Sequence, residues 1–226
     1  MTIVLPRFYS KRRHDHSGGK EGLQTDVTSL PYRGRYYVFD TWGDNRMSER
    51  VQMGNEYRPD WIVRNGSWSA SSGYLENSVS DGSADIYTTS TKSSGVWELS
   101  INNYTLTNNN DTSFFIMSSN LTPTIDGNGY CYRLNPNHAD HYLYKYVGGS
   151  PTALLSFSYT FTSNKWYKLK IVRDEDGTFE VYLGDELGYD LKGTVTDKTF
   201  MSSKYMLIIH STIGLQTTYY DNLKVY

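Results

Sequence analysis

Lys165-Trp166-Tyr167-Lys168-Leu169-Lys170-Ile171-Val172-Arg173-Asp174-Glu175-Asp176-Gly177-Thr178-Phe179-Glu180-Val181-Tyr182-Leu183 is the stretch that decides the fold class of this chain. Trp166, Lys168 and Lys170 alternate with Tyr167, Leu169 and Ile171. A period of two puts one set on each face of a strand. Asp176-Gly177 supplies a tight turn, because both residues tolerate positive φ. Phe179, Val181 and Leu183 then line the apolar face of a return strand. The reading is a β-hairpin with one face in a core.

The same pattern spreads outward from it. Tyr205 to His210 and Tyr219 to Tyr226 predict two closing strands. Upstream, Trp97, Leu99 and Ile101 share one strand face, and Thr112–Met117, Tyr130–Leu134 and His141–Val147 follow between Asn/Gly/Pro-rich turns. Tyr36–Phe39 and Asp60–Val63 are shorter β-prone runs. There is no internal repeat and no long helical stripe. Many short strands in one domain predict an all-β, two-sheet antiparallel sandwich over residues 35–226.

Residues 1–34 read differently. Lys11-Arg12-Arg13-His14-Asp15-His16-Ser17-Gly18-Gly19-Lys20 has no hydrophobic period and two adjacent glycines. It predicts an extended arm that orders only against a partner. Arms of this kind cross into neighbouring subunits, so the expectation is a homo-oligomer, a trimer or higher. Lys11, Arg12 and Arg13 are the candidate assembly contacts.

Composition narrows the function classes. At 226 residues the chain has the length of one large sandwich, and its 38% apolar content can fill that core. The 21 tyrosines, with abundant Asn, Ser, Thr and Gly, suit strands and turns. A formal net charge of −2 gives no electrostatic footprint for nucleic acid. Cys131 stands alone, flanked by Tyr130 and Tyr132, so it reads as a small buried strand residue rather than half of a disulfide. No stretch approaches the ~20 apolar residues of a membrane helix. The start, Met1-Thr-Ile-Val-Leu-Pro-Arg7, lacks a secretory signal's apolar core. Release within an assembled particle would be another route outside a cell.

Several segments together resemble the concanavalin A-like (laminin-G-like) jelly roll. Phe39-Asp40, Asp60-Trp61-Ile62-Val63, Asn65-Gly66-Ser67-Trp68-Ser69 and Gly73-Tyr74-Leu75 resemble its opening. Gly129-Tyr130-Cys131-Tyr132-Arg133-Leu134 looks like its central strand, residues 166–183 its most recognisable hairpin, and Tyr220-Asp221-Asn222-Leu223-Lys224-Val225-Tyr226 its closing strand. That superfamily holds lectins, carbohydrate-binding modules, glycosidases and virion proteins, so the resemblance implies a fold more than a function. His14-Asp15-His16-Ser17-Gly18-Gly19 resembles segments near the N-termini of tailed-virus fibre and structural proteins.

Candidate sites follow from chemistry. Glycoside hydrolysis needs two carboxylates facing one cleft. Enzymes of this fold supply them as Glu-x-Asp-x-Glu, and the sequence has no such segment. Asp174, Glu175 and Asp176 belong to the hairpin turn, and Asp185-Glu186 to a strand end. There is also no Gly-x-Ser-x-Gly elbow and no zinc spacing of His and Cys. Carbohydrate binding needs aromatic platforms flanked by polar groups. Tyr142, Tyr144 and Tyr146 fall on one strand face, with His138, Asp140 and His141 at its mouth and Arg133 across the preceding loop. The simpler explanation is tyrosines packed on a sheet with wet hydroxyls.

The resemblance implies calcium where first and last strands meet, and Asp40 and Asp221 match those positions; two turn aspartates explain them as well. His14 and His16 would offer six imidazole nitrogens if three chains met on an axis, although a solvated arm is the default. His210, in the apolar run Leu207-Ile208-Ile209, reads as a core or rim residue. Sequons occur at Asn65, Asn103, Asn110 and Asn120.

The leading expectation is a non-catalytic virion surface, fibre or tail component whose sandwich binds a cell-surface glycan or a partner protein. The alternative is a carbohydrate-binding module, or a glycoside hydrolase-like domain, of a cellular and extracellular protein.

Overall fold

A computed structural model describes residues 52–53, 56–57, 61–71, 74–103, 111–135 and 140–226. The arm of residues 1–34 and the run 36–39 lie outside the described residues. β1 (Gln52–Met53) and β2 (Glu56–Tyr57) form a small antiparallel pair by themselves. The sandwich is built from β3 (Ile62–Asn65), β4 (Trp68–Ser71), β5 (Tyr74–Thr89), β6 (Gly95–Asn103), β7 (Asp111–Ser118), β8 (Gly129–Leu134) and β9 (Asp140–Val147), followed by β10 (Ser150–Ser158), β11 (Trp166–Arg173), β12 (Thr178–Asp185), β13 (Gly188–Thr196) and β14 (Tyr205–Val225). No helix occurs among the described residues.

Two antiparallel sheets of 7 strands each result, because β5 and β14 serve both. Sheet A runs β10-β9-β8-β7-β14-β5-β3, using residues 205–213 of β14 against 81–89 of β5. Sheet B runs β13-β12-β11-β6-β14-β5-β4, using residues 216–225 of β14, whose 216–220 pair with 75–79 of β5. The two expected closing strands are therefore one strand of 21 residues. Residues 211–218, with Gly214 and four Ser or Thr, fall between the two expected strands. In the fold the chain instead shifts register between Ile213 and Gln216 and passes from one sheet into the other. Extra residues in one strand bend and twist it without reversing it.

The hairpin forms as expected. β11 and β12 pair from Lys168↔Gly184 to Arg173↔Phe179, and β11 alternates strictly between half-buried and buried residues. At its turn Gly177 has φ +80° and donates its N–H to the Asp174 carbonyl at 3.2 Å. Thr178 N–H donates to the Asp174 carboxylate at 2.8 Å. A Cβ at Gly177 would stand 2.6 Å from the Asp197 carbonyl oxygen, so the site excludes larger residues twice over.

The inner faces interleave in one core. Trp97, Leu99, Ile101, Leu169 and Phe179 from sheet B meet Phe114, Tyr130, Tyr132, Leu143 and Ile208 from sheet A. Burying each such side chain contributes about 1.5–3 kcal/mol. At one end, Arg173 closes the sandwich. Its guanidinium lies 5.0 Å from the Tyr130 ring and 4.9 Å from that of Phe179. It donates to the carbonyls of Ser93, Asp197 (3.1 Å) and Phe200 (2.9 Å). Tyr130 donates its hydroxyl to Asp197 Oδ1 at 2.6 Å, and Lys145 Nζ stands 2.7 Å from Asp197 Oδ2. Burial works against the Asp197 carboxylate, but Lys145, Tyr130 and Thr199 hold it well below the usual carboxylate range. Burial, reinforced by Asp197, pushes the Tyr130 phenol up to about 12. A buried arginine is tolerated here because carbonyls and rings surround it.

Candidate functional site on the outer face of sheet A

The outer face of sheet A carries a second apolar layer. Register sets Tyr87, Leu207, Phe115, Cys131 and Tyr144 side by side across five strands. Phe115, Cys131 and Leu207 point away from the main core, yet each is 0% exposed. Tyr87, Tyr144, Tyr205, Leu121 and Ile209 cover them. The rings touch in sequence: Tyr142 and Tyr144 have centroids 5.1 Å apart, Tyr144 and Tyr146 6.2 Å, and Tyr146 and Phe115 5.1 Å. Tyr87 and Tyr205 meet edge to face at 6.0 Å. Burial, against the pull of Arg133, raises the Tyr144 phenol, so it stays a neutral donor and acceptor. Burial also pushes the Cys131 thiol up, which makes it inert.

The adjoining row is polar. Asp85, Ile209, Ser113, Arg133 and Tyr142 stand next to one another. Arg133 pairs with Asp111, and Arg64 pairs with Asp85, its Nε 2.9 Å from Oδ2. Asp85 is buried and Arg133 partly exposed. An aromatic floor thus borders two arginine–aspartate pairs on one continuous surface.

Of the expected sugar-facing residues, Arg133, Tyr142 and Tyr144 come together here, Arg133 directly opposite Tyr142. His141 is a correction. Its ring turns to the inner face, 0% exposed, among Tyr132, Phe157 and Phe161. It donates Nε2–H to the Tyr159 carbonyl at 3.0 Å, and burial lowers its pKa. One residue along a strand means the opposite face. Tyr146 is also largely covered. His138, Asp40, His14, His16, Lys11, Arg12 and Arg13 lie outside the described residues. Sequence reasoning missed Arg64, Asp85, Asp111, Tyr87 and Tyr205, which share this face with residues far away in the chain. Their signal was the parity of β3, β5, β7 and β14, readable only once those strands were paired.

His210 is buried on the inner face, its Nδ1 3.2 Å from Thr112 Oγ1, and burial lowers its pKa to about 4. Asp174 caps the hairpin turn, while Asp185 pairs with Lys165 at 2.7 Å. Among the described residues no strand presents alternate carboxylates on one face. Asp221 accepts from Asn222 N–H (2.7 Å) on one oxygen and from Asn222 Nδ2 (2.9 Å) on the other. Among the described residues no group of three His, Cys, Asp or Glu gathers, and Asp40, the other expected calcium ligand, lies outside them. Of the sequon asparagines, Asn65 donates Nδ2 to the Ser83 carbonyl and Asn120 donates Nδ2 to Asp126, each at 2.9 Å.

No protein-family model matches the sequence, and a search of curated proteins finds no relative. Solved structures do share the fold. The carbohydrate-binding module CBM66 from Bacillus subtilis aligns over 74% of this chain and 95% of its own, at 21% identity and a TM-score of 0.59. The Bacillus licheniformis β-glucanase aligns over 85% of this chain and 97% of its own, at 12% identity and a TM-score of 0.60. A legume lectin-like domain from Entamoeba histolytica covers 74% and 89%, at 12% identity and a TM-score of 0.57. A module, an enzyme and a lectin on one scaffold leave the chemistry to each chain's own side chains. With its paired seven-stranded sheets and these structural likenesses, the chain has the concanavalin A-like jelly-roll fold.

Proposed function

We propose that the outer face of sheet A binds a glycan and does not cleave it. The observation that carries this is the meeting of the partly exposed Tyr142 and Tyr144 rings with the Arg133–Asp111 pair over a fully buried floor. Rings offer flat contact to the C–H faces of a sugar, and the charged pair offers donors and an acceptor to its hydroxyls. The floor holds the rings in place before a ligand arrives, which lowers the entropy lost on binding. Two aspartates of this face, Asp85 and Asp111, are each committed to an arginine. A glycosidase's general acid needs the opposite setting, an apolar one that keeps its proton.

Isothermal titration against a polysaccharide panel, with release of reducing ends followed in parallel, tests both halves. Saturable binding that Tyr144→Ala and Arg133→Ala each weaken roughly tenfold or more, without new reducing ends, is the expected result. Binding indifferent to both substitutions, or chain cleavage, overturns it. The placement of the protein on a virion is carried by the sequence of residues 1–34 alone. For that arm the proposal is assembly. Light scattering should give a trimer or larger for the whole chain and a monomer for a chain starting at residue 35.

A further inference from the structure

Resting on that reading, we infer that the saccharide taken by this face is uncharged, and that adjacent hydroxyls of one sugar ring engage the Arg133–Asp111 pair together. The inference comes from how charge is distributed over sheet A. With β14 taken over 205–213 and β5 over 81–89, its seven strands carry three Arg or Lys side chains: Arg64, Arg133 and Lys145. Arg64 is paired with Asp85, Arg133 with Asp111, and Lys145 with Asp197 at 2.7 Å. Recognition of a uronic or sialic acid carboxylate needs a guanidinium or ammonium with its charge uncommitted. These strands offer none. Asp140, at the start of β9, adds a further negative charge, met by the Ser158 hydroxyl at 3.2 Å.

The acceptors point the same way. Asp85 and Asp111 each give Oδ2 to an arginine, and in each the buried Oδ1 has no hydrogen-bond partner. Asp85 is 3% exposed and fixed in place by Arg64. A buried carboxylate oxygen without a donor is costly, and a hydroxyl is the group that supplies one. A second carboxylate brought by an acidic sugar would add like charge instead. Arg133 stands directly across from Tyr142, so a ring packed on Tyr142 and Tyr144 has an edge beside the pair. One hydroxyl would accept from the guanidinium while its neighbour, reaching in beside it, donates to Asp111.

The test is titration of the full chain with two panels. One holds neutral polymers (β-glucan, fructan, galactomannan) and the other acidic ones (polygalacturonate, alginate, a sialylated oligosaccharide), each in low and high salt. Binding confined to neutral polymers, with affinity unchanged by salt, is expected. Asp111→Asn, checked for an unchanged melting curve, should weaken binding of the neutral polymer roughly tenfold or more and, by freeing the Arg133 charge, let an acidic polymer bind. Arg133→Lys, which keeps the charge but loses the fork, should also weaken binding of the neutral polymer. Preferential binding of an acidic polymer by the unaltered chain that fades with salt, or tighter binding of a neutral polymer by Asp111→Asn, overturns this inference alone if Tyr144→Ala still weakens binding. No binding to either panel overturns the glycan reading with it.

Discussion

The two sheets turn similar apolar faces to a shared core, but their outer faces differ in kind. On sheet B, register sets Lys224, Glu98, Lys170, Tyr182 and Leu191 in one row. Lys170 lies over the rings of Tyr182 (5.3 Å) and Tyr189 (5.8 Å), and every member of the row keeps some exposure. This is an ordinary wet surface of charges and aromatic edges. The matching row on sheet A holds Phe115, Cys131 and Leu207, all sealed from water. The strand sequences already differ. β11 alternates, whereas β7 runs Phe114-Phe115-Ile116-Met117 and is buried on both sides. A strand apolar on both faces must be covered twice. On sheet A the second cover is a tyrosine layer, and that layer is where a ligand would land.

Substitutions can break this contrast, beginning with the floor. Phe115→Ala should destabilise the domain by about 3–5 kcal/mol, the cost of a cavity under a large buried ring. Denaturant unfolding measures it, and a loss under 1 kcal/mol would mean that the outer layer collapses freely.

Acid should separate the sheets next. Both described histidines, His141 and His210, belong to sheet A and are buried. Burial lowers the pKa of each, so the unfolded chain binds more protons as pH falls below the ordinary value of 6.5. Stability is therefore full above about pH 6.5 and is lost as pH falls towards the folded values, about 4 for His210. A shift from 6.5 to about 4 corresponds to ~3 kcal/mol for His210. Urea unfolding from pH 7 to 4 should show the loss. His210→Gln should flatten it, and a pH-independent midpoint would refute the assignment.

A smaller effect is expected for the cover itself. Tyr144→Ala should weaken glycan binding roughly tenfold, as removal of an aromatic anchor does. Titration reads the affinity; equal weakening by Tyr182→Ala on sheet B would erase the distinction between the faces. The smallest effect belongs to Lys170→Ala, within about 0.5 kcal/mol in stability, since exposed charges contribute little. A cost near 2 kcal/mol would show that sheet B's outer row is also structural.

How much of this was legible in the sequence depends on whether the decisive contact is local. The 166–183 hairpin could be read because alternation and Asp176-Gly177 sit within one short span. β14 could not be read as one strand, since a bend between sheets leaves the same trace as a turn: a glycine, Gly214, between two β-prone runs. β5, β10 and β13 were missed where Ser, Thr, Gly and Asp dilute the apolar alternation. The site was half legible. Tyr142, Tyr144 and Arg133 lie close in sequence, and parity alone would have turned His141 inward. Arg64 and Asp85, or Arg133 and Asp111, are partners 21 and 22 residues apart on separate strands, and nothing local announces them.

β14 also has a consequence in time. It follows every other described strand in the chain, yet its place is central: between β7 and β5 in one sheet, between β6 and β5 in the other. Until it arrives, β5, β6 and β7 each keep an unpaired edge, and Tyr205–Tyr220 must find partners on β5 more than a hundred positions upstream. Such distant pairing makes folding slow, and open edges invite pairing with a neighbouring chain. The last strand inserted is thus the one that turns two sticky half-sheets into a closed sandwich.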